Sequence, residues 1–300
     1  MYVVTGATGR TGSVVARHLL SKGERVRVIG RGAERLKDLA AEGGEPSRAD
    51  LTDAAGLTRA FLGAKAVYVM LPPNPASHDC RKFQNRVTHA IAAALRDAGV
   101  RHAVTLSSIG ADKGDKTGSV AGLHDLEQPL NRIEGLTVLH LRAGYFMENT
   151  LAEIRNIQTM GKAAGPFRPD LKLPMIATRD IGEAAADALL RLNFNPAETR
   201  ELQGQRDLSM SEAAEIIGRA IGTPNLRYAQ ASDGEVRAAL LQLGMSANMA
   251  ELILEMSAAW NSGHIRAIEP RSPANSTTTP YETFVAEEFL PRFLGKSAAA

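Results

Sequence analysis

The sequence predicts an α/β protein, a doubly wound parallel sheet followed by a smaller α+β portion. Three observations predict it. Short apolar, β-branched runs alternate with segments of helical period from Tyr2 to Leu141. The first run, Tyr2, Val3 and Val4, leads into Gly6, Gly9 and Gly12 at G-x-x-G-x-x-G spacing. These are followed by Val14, Val15, Ala16, Leu19 and Leu20 at helical spacing. After residue 145 the alternation loses its regularity and prolines interrupt it. Regular strand–helix alternation buries both faces of a sheet under helices, and right-handed crossovers then wind it in both directions.

The elements follow in order. Arg25–Ile29 (RVRVI) alternates as a second strand. Ala33–Glu42 places Leu36, Leu39 and Ala40 on one helical face, and Glu45–Ala49 is a weak third strand. Asp53 is placed to cap a helix through Leu57, Ala60, Phe61 and Leu62. Ala66–Leu71 (AVYVML) is a buried strand stopped by Pro72 and Pro73. His78–Ala98 is a long amphipathic helix, with Phe83, Val87, Ile91 and Leu95 spaced by four and Gly99 ending it. His102–Leu106 is the fifth strand, followed by Ser107 and Ser108. Leu123–Ile133 reads as a helix in which Pro129 must sit near the start or kink it. Thr137–Leu141 is the sixth strand.

Beyond it, Gly161–Phe167 and Leu171–Ile176 are short, and Asp180–Leu192 is a helix with Asp180 as its cap. Glu201–Leu202, a helix from Ser209 to Ile221 opened by the capping box Ser209/Glu212, and Leu226–Ala231 suggest the α+β part. Glu235–Trp260 is mostly helical, Ser272–Pro280 is a polar link, and Tyr281–Phe293 is a last amphipathic helix.

Composition excludes several functions. Net charge is +2 with the basic residues scattered, so no strong field favours nucleic acid or an anionic membrane. Aromatics at 5% supply no stacking platform for single strands. The single cysteine, Cys80, rules out an internal disulfide and any multi-cysteine metal site, and fits a reducing compartment. No apolar stretch approaches the roughly 20 residues of a membrane helix. The N-terminal stretch reads as strand and glycine turn rather than as a signal core. A cytoplasmic protein with a small-molecule substrate is therefore expected. His18, His89, His102, His140 and His264 do not cluster at metal-ligand spacing, so no metal is expected. His78, Asp79 and Cys80 are adjacent on one helix and cannot face one another as a catalytic triad.

Strand, glycine turn and helix are what a dinucleotide pyrophosphate requires. Glycine permits the tight turn, the approach of the phosphates and close helix packing, while the helix N-terminus offers N–H groups and a positive dipole end. Ligands of such sheets lie at the carboxyl ends of the strands. That rule gathers one rim: Gly6, Thr8, Gly9, Arg10, Thr11 and Gly12, then Arg31, Asp50, Leu51, Leu71, Pro72 and Pro73, then Ser107–Ile109 and Arg142–Tyr145. An acid about 20 positions after the glycines would hold the ribose 2′-OH of NAD. Here the second strand ends in Gly30-Arg31-Gly32. An arginine pairs with a 2′-phosphate, so the expected cofactor is NADP(H) in preference to NAD(H). Arg10 is a second cation within reach of that phosphate. Expected boundaries are 1–150 for the dinucleotide-binding Rossmann domain, 151–293 for a smaller substrate-binding subdomain with some segments returning to the sheet, and 294–300 for a disordered tail.

Val4–Gly12 (VTGATGRTG), Arg31 and Asp50-Leu51 are joined by Leu106–Gly110 (LSSIG), Leu141–Asn149 (LRAGYFMEN), Asp180-Ile181-Gly182 and Leu208–Ile221 (LSMSEAAEIIGRAI). In this combination the chain resembles the NmrA-like branch of the atypical short-chain dehydrogenases over nearly its whole length. The resemblance implies a Rossmann domain and a C-terminal substrate subdomain with NADP(H) between them. It implies that the glycine loop and Arg31 hold the adenosine half and that Pro72 and Pro73 lie under the cofactor's centre. Ser107, Ser108 and Arg142–Phe146, including Gly144, Tyr145 and Phe146, would line the nicotinamide and substrate pocket. The family includes NADPH-dependent quinone and triphenylmethane dye reductases, and redox sensors that bind the dinucleotide with little or no turnover.

One departure bears on chemistry. Active short-chain dehydrogenases use a Tyr-x-x-x-Lys pair to pass a proton. None of the five tyrosines has a lysine four residues on; Pro72 follows Tyr68 and Asn149 follows Tyr145 at that spacing. His124, in the helix that usually carries the pair, and Tyr145, at the rim, are the candidate catalytic contacts, with Glu127 read as structural. Quinones and cationic dyes suit such a site, because they ask little of a general acid. The expected function is an NADPH-dependent reductase of a small planar electrophile, as monomer or homodimer. The alternative is an NADP(H)-binding sensor acting through a protein partner.

Overall fold

The computed structural model describes residues 1–32 and 34–295. Its first half runs β1 (Tyr2–Val4), α1 (Arg10–Ser21), β2 (Val26–Gly30), α2 (Lys37–Ala41), β3 (Glu45–Arg48), α3 (Ala54–Phe61), β4 (Ala66–Val69), α4 (Cys80–Asp97), β5 (His102–Ser108), α5 (Ala121–Leu130) and β6 (Thr137–Ala143). Then come β7 (Tyr145–Phe146), α6 (Glu153–Met160), β8 (Ala163–Gly165), β9 (Lys172–Ile176), α7 (Thr178–Arg191), β10 (Glu198–Leu202), β11 (Asp207–Ser209), α8 (Met210–Ala220), β12 (Tyr228–Gln230), α9 (Asp233–Gln242), α10 (Ala247–Asn261), α11 (Tyr281–Phe284) and α12 (Leu290–Phe293). A π-helical turn, Val285–Phe289, joins the last two.

Seven strands form one sheet in the order β10-β6-β5-β4-β1-β2-β3, with every neighbouring pair parallel. Strand side chains alternate between faces, and both faces are apolar. Tyr2 and Val4 enter a core with α1, α2 and α7, whereas Val3 enters the opposite core with α3, α4 and α5. A third core is built from β9, α8, Trp260 and the helix over 281–293. Two small sheets, β11-β9-β7 and β12-β8, edge this last core. No helix among the described residues is long and apolar enough to cross a membrane.

Several expectations are corrected. The fifth helix starts at Ala121 behind a 3-10 turn at Gly118, where φ is +59°, so Pro129 falls in its last turn and not near its start. Asp180 does not cap α7, because Ala177 occupies that position; the Asp180 carboxylate accepts from the Thr279 hydroxyl at 2.6 Å, tying the polar link to α7. Asp53 precedes α3 without a side-chain capping bond. Glu201–Leu202 belongs to β10, the seventh strand of the main sheet. Of the expected tail, residues 296–300 lie outside the described residues, as does Ala33 of the second expected helix, and Leu294–Gly295 form a turn.

His140 is fully buried in β6, with Nδ1 2.7 Å from the Thr105 hydroxyl and Nε2 2.9 Å from Asn131 Oδ1. A neutral ring accepting at Nδ1 and donating at Nε2 satisfies both partners. Burial lowers its pKa from 6.5 to about 4. The folded state therefore binds fewer protons than the unfolded chain between these values. The stability this contributes is complete above about pH 6.5 and is lost as pH falls through about 4, a span worth about 3 kcal/mol. His140→Gln is expected to flatten that part of the stability–pH curve in urea titrations. An unchanged difference between pH 7 and pH 4 would refute the assignment.

Candidate functional site

The chain builds β1, β2 and β3 outward in one direction and then crosses back to place β4 on the other side of β1. The crevice at this reversal is where ligands of open α/β sheets bind. The glycine turn occupies it, and its glycines meet different demands. Gly6 has φ +60°, and a Cβ there would lie 2.7 Å from Met70 Sδ. Gly9 donates its N–H to the Gly6 carbonyl at 2.8 Å. Gly12 brings α1 against the turn, since a Cβ would lie 2.3 Å from the Gly6 carbonyl oxygen. The Thr5 hydroxyl donates to the Tyr68 carbonyl at 3.0 Å and accepts from the Met70 N–H at 3.2 Å. The Tyr68 phenol donates to Thr11 Oγ1 at 3.0 Å, pinning the first turn of α1 to β4.

No side chain caps α1, and its first turn holds no acid. By contrast α4, α8, α9 and α10 are capped by Asp79, Ser209, Ser232 and Ser246. The positive end of α1 thus carries neither a side-chain cap nor a first-turn acid of its own, which leaves its N–H groups open to an anion.

A cleft of about 460 Å³ opens from this turn. Gly6, Thr8 and Gly9 form one end, Arg31, Arg35, Asp50 and Leu51 one wall, and Pro72, Pro73, Asn74 and Pro75 the other. Ala49, Phe83 and Val87 give an apolar lining suited to a planar base. Arg31 and Arg35 are exposed, and among the described residues neither has a carboxylate at ion-pair distance. Asp50 closes a turn by accepting from the Thr52 hydroxyl at 2.7 Å and its N–H at 2.8 Å. Those bonds, with smaller help from Arg31 and Arg86, hold its carboxyl below the usual range.

Sequence reasoning named eight residues of this cleft: Gly6, Thr8, Gly9, Arg31, Asp50, Leu51, Pro72 and Pro73. Among those it missed are Arg35, Met70, Asn74 and Pro75. The signal for Arg35 was its place four residues after Arg31, on the 3-10 turn Glu34–Leu36.

Other candidates lie elsewhere. Arg10 lines a separate cavity that shares no lining residue with the cleft of Arg31. Thr11 is buried with its hydroxyl engaged by Tyr68, and Gly12 serves packing. Leu71 packs against the core of α3 and α4. Ser107 is 2% exposed and donates to Glu127 Oε1 at 2.6 Å, so its hydroxyl is spent inside the protein and does not face the rim. Glu127 also takes a two-pronged bond from Arg142, Nε at 3.0 Å and Nη2 at 2.6 Å. Ser108 is half-buried and donates to the Ile109 carbonyl. Gly144 fits under Pro174, whose carbonyl a Cβ would meet at 2.2 Å. Phe146 packs on the core beside α1. Half-buried Tyr145 stands edge-on to Phe167, centroids 5.3 Å apart, and burial pushes its phenol upward so that it stays protonated. The His124 ring has Nδ1 2.9 Å from the Ala111 carbonyl, which ties α5 to the preceding loop.

The model of the NmrA-like family matches residues 2–290. An NAD(P)H azoreductase of Xenophilus azovorans is 26% identical over 284 residues, covering 95% of each chain. An NADPH-dependent quinone oxidoreductase of Escherichia coli, solved with NADPH, superposes with a TM-score of 0.75 at 22% identity, covering 100% of this chain and 96% of that one. The triphenylmethane reductase of Citrobacter sp., solved with NADP(H), gives a TM-score of 0.77 at 20% identity over 97% of this chain and all of that one. These two likenesses confirm the fold.

Proposed function

The chain belongs to the NmrA-like family, and from that premise we propose that it is an NADPH-dependent oxidoreductase reducing a small planar electrophile such as a quinone or dye. One observation carries the reading. The cleft at the reversal of the sheet joins an uncapped helix N-terminus to a wall of two arginines, Arg31 and Arg35, that have no ion-pair partner among the described residues. Pyrophosphate at the first and 2′-phosphate at the second would match the two anionic ends of the adenosine half of NADPH. The relatives named as an azoreductase, a quinone oxidoreductase and a triphenylmethane reductase support the choice of acceptor.

When bound, NADPH supplies the hydride. The glycine turn and Arg31/Arg35 would anchor it, and Pro72 and Pro73 would support its centre. Tyr145, kept protonated by burial, would be a hydrogen-bond donor at the acceptor end. Segments of 151–293 would shape the substrate side. No Tyr-x-x-x-Lys pair is present in the sequence to protonate an alkoxide. Acceptors that take hydride without an enzymatic acid are therefore favoured. Purified protein is expected to bind NADPH and to oxidise it in the presence of at least one member of a panel of quinones, azo dyes and triphenylmethane dyes, followed by NADPH absorbance. Tight NADPH binding without oxidation by any acceptor would overturn the reductase and assign a sensor acting through a protein partner.

A further inference from the structure

We propose that a second cavity, between the start of α1, the start of α7 and the C-terminal helical segment, is a site for a tetrahedral oxyanion, a phosphoryl or sulfonyl group either free or carried by the substrate. The cavity measures about 350 Å³ and shares no lining residue with the dinucleotide cleft. Cations from three separate elements converge on it: Arg10 and Arg17 from α1, Arg179 from α7 and Arg292 from α12. Val14 and Phe284 give it an apolar floor.

The nearby acids are accounted for. Glu148 lines the cavity, yet its carboxylate is occupied by α7, accepting from the Thr178 N–H at 2.9 Å and the Thr178 hydroxyl at 2.5 Å. Glu288, in the π-helical turn, pairs with Arg292 four residues on, Glu287 with Arg179, and Glu42 with Arg17. Both members of each of these pairs are substantially exposed. Exposed pairs are held weakly, and the planar guanidinium fork matches a phosphoryl oxygen pair in two-pronged geometry. Arg10 has no ion-pair partner among the described residues. Arg179 Nε also lies 3.8 Å from the buried Asp180 carboxylate, which keeps the Thr279 hydroxyl as a donor when Arg179 turns. An entering oxyanion thus meets one guanidinium without an ion-pair partner among the described residues and three held mainly by exposed pairs.

The test leaves Arg10 in place, because it adjoins Gly9 of the dinucleotide turn. Calorimetric titration with inorganic phosphate is expected to show binding that Arg179→Ala/Arg292→Ala weakens at least tenfold, with NADPH affinity unchanged. Arg179 also reaches Thr279 and Glu287, so Arg17→Ala, on the exposed face of α1, is the companion variant. It should weaken phosphate in the same direction at an unchanged melting temperature. No phosphate binding at millimolar concentration, or a parallel loss of NADPH and phosphate affinity, would overturn the proposal. This arm stands whether or not the protein is a reductase. A second arm, comparing naphthoquinone with a naphthoquinone sulfonate as acceptors, locates the group. A KM rise in the variants for the sulfonate alone supports an oxyanion on the substrate; equal KM values alongside lost phosphate binding support a free oxyanion.

Discussion

Replacing Arg31 and Arg35 together by alanine is expected to weaken NADPH binding at least 100-fold and to leave NADH within about twofold. Both guanidinium groups stand on one wall of the cleft with no competing carboxylate at ion-pair distance among the described residues. Each hydrogen bond to a charged group is worth about 1.5–3 kcal/mol, so two lost together cost about 3 kcal/mol or more. That is about two powers of ten in affinity. NADH carries no 2′-phosphate and forfeits neither bond. Each single variant should lose about tenfold, and raising ionic strength should narrow the preference because the site is exposed. Fluorescence titration with both dinucleotides measures the ratio. An equal loss for NADPH and NADH would show that the two arginines shape the cleft without reading the phosphate.

Much of this site was legible because its determinants are local. The three glycines, Arg31 after β2, Asp50 after β3 and the prolines after β4 are each fixed by a strand ending a few residues earlier. The parallel sheet then delivers those ends to one edge. What stayed hidden depends on partners distant in the chain. Ser107 and Ser108 are neighbours whose side chains leave opposite faces of β5. Only the packing of α5 decides that Ser107 meets Glu127, 20 residues on. Asp180 has the composition of a helix cap, but Thr279, 99 residues away, claims its carboxylate. Arg10 looked like a second phosphate ligand from its place in the turn. The first turn of α1 instead directs it to the cavity shared with α7 and α12.

The buried pair beneath the rim carries the largest expected effect on stability. Glu127 has a side chain 1% exposed and Arg142 one 15% exposed, joined by two prongs and completed by Ser107. Arg142→Met removes both prongs and leaves a buried carboxylate with only the serine as donor. Stranding one partner of a buried pair costs about 3–5 kcal/mol. For a chain of this size that corresponds to a fall in melting temperature of roughly 10 °C. Glu127→Leu should cost less, because the Arg142 head retains a path to water, though Ser107 loses its acceptor. The double variant Arg142→Met/Glu127→Leu should recover most of the loss, since a well-packed apolar pair of similar volume often equals a buried ion pair. The double-mutant cycle therefore gives a coupling of several kcal/mol if the two groups depend on one another. If Arg142→Met alone costs less than about 1 kcal/mol, as for an exposed pair, the pair does not hold α5 against β5 and β6. The rim at Ser108 and Tyr145 would then have to owe its position to the third core instead.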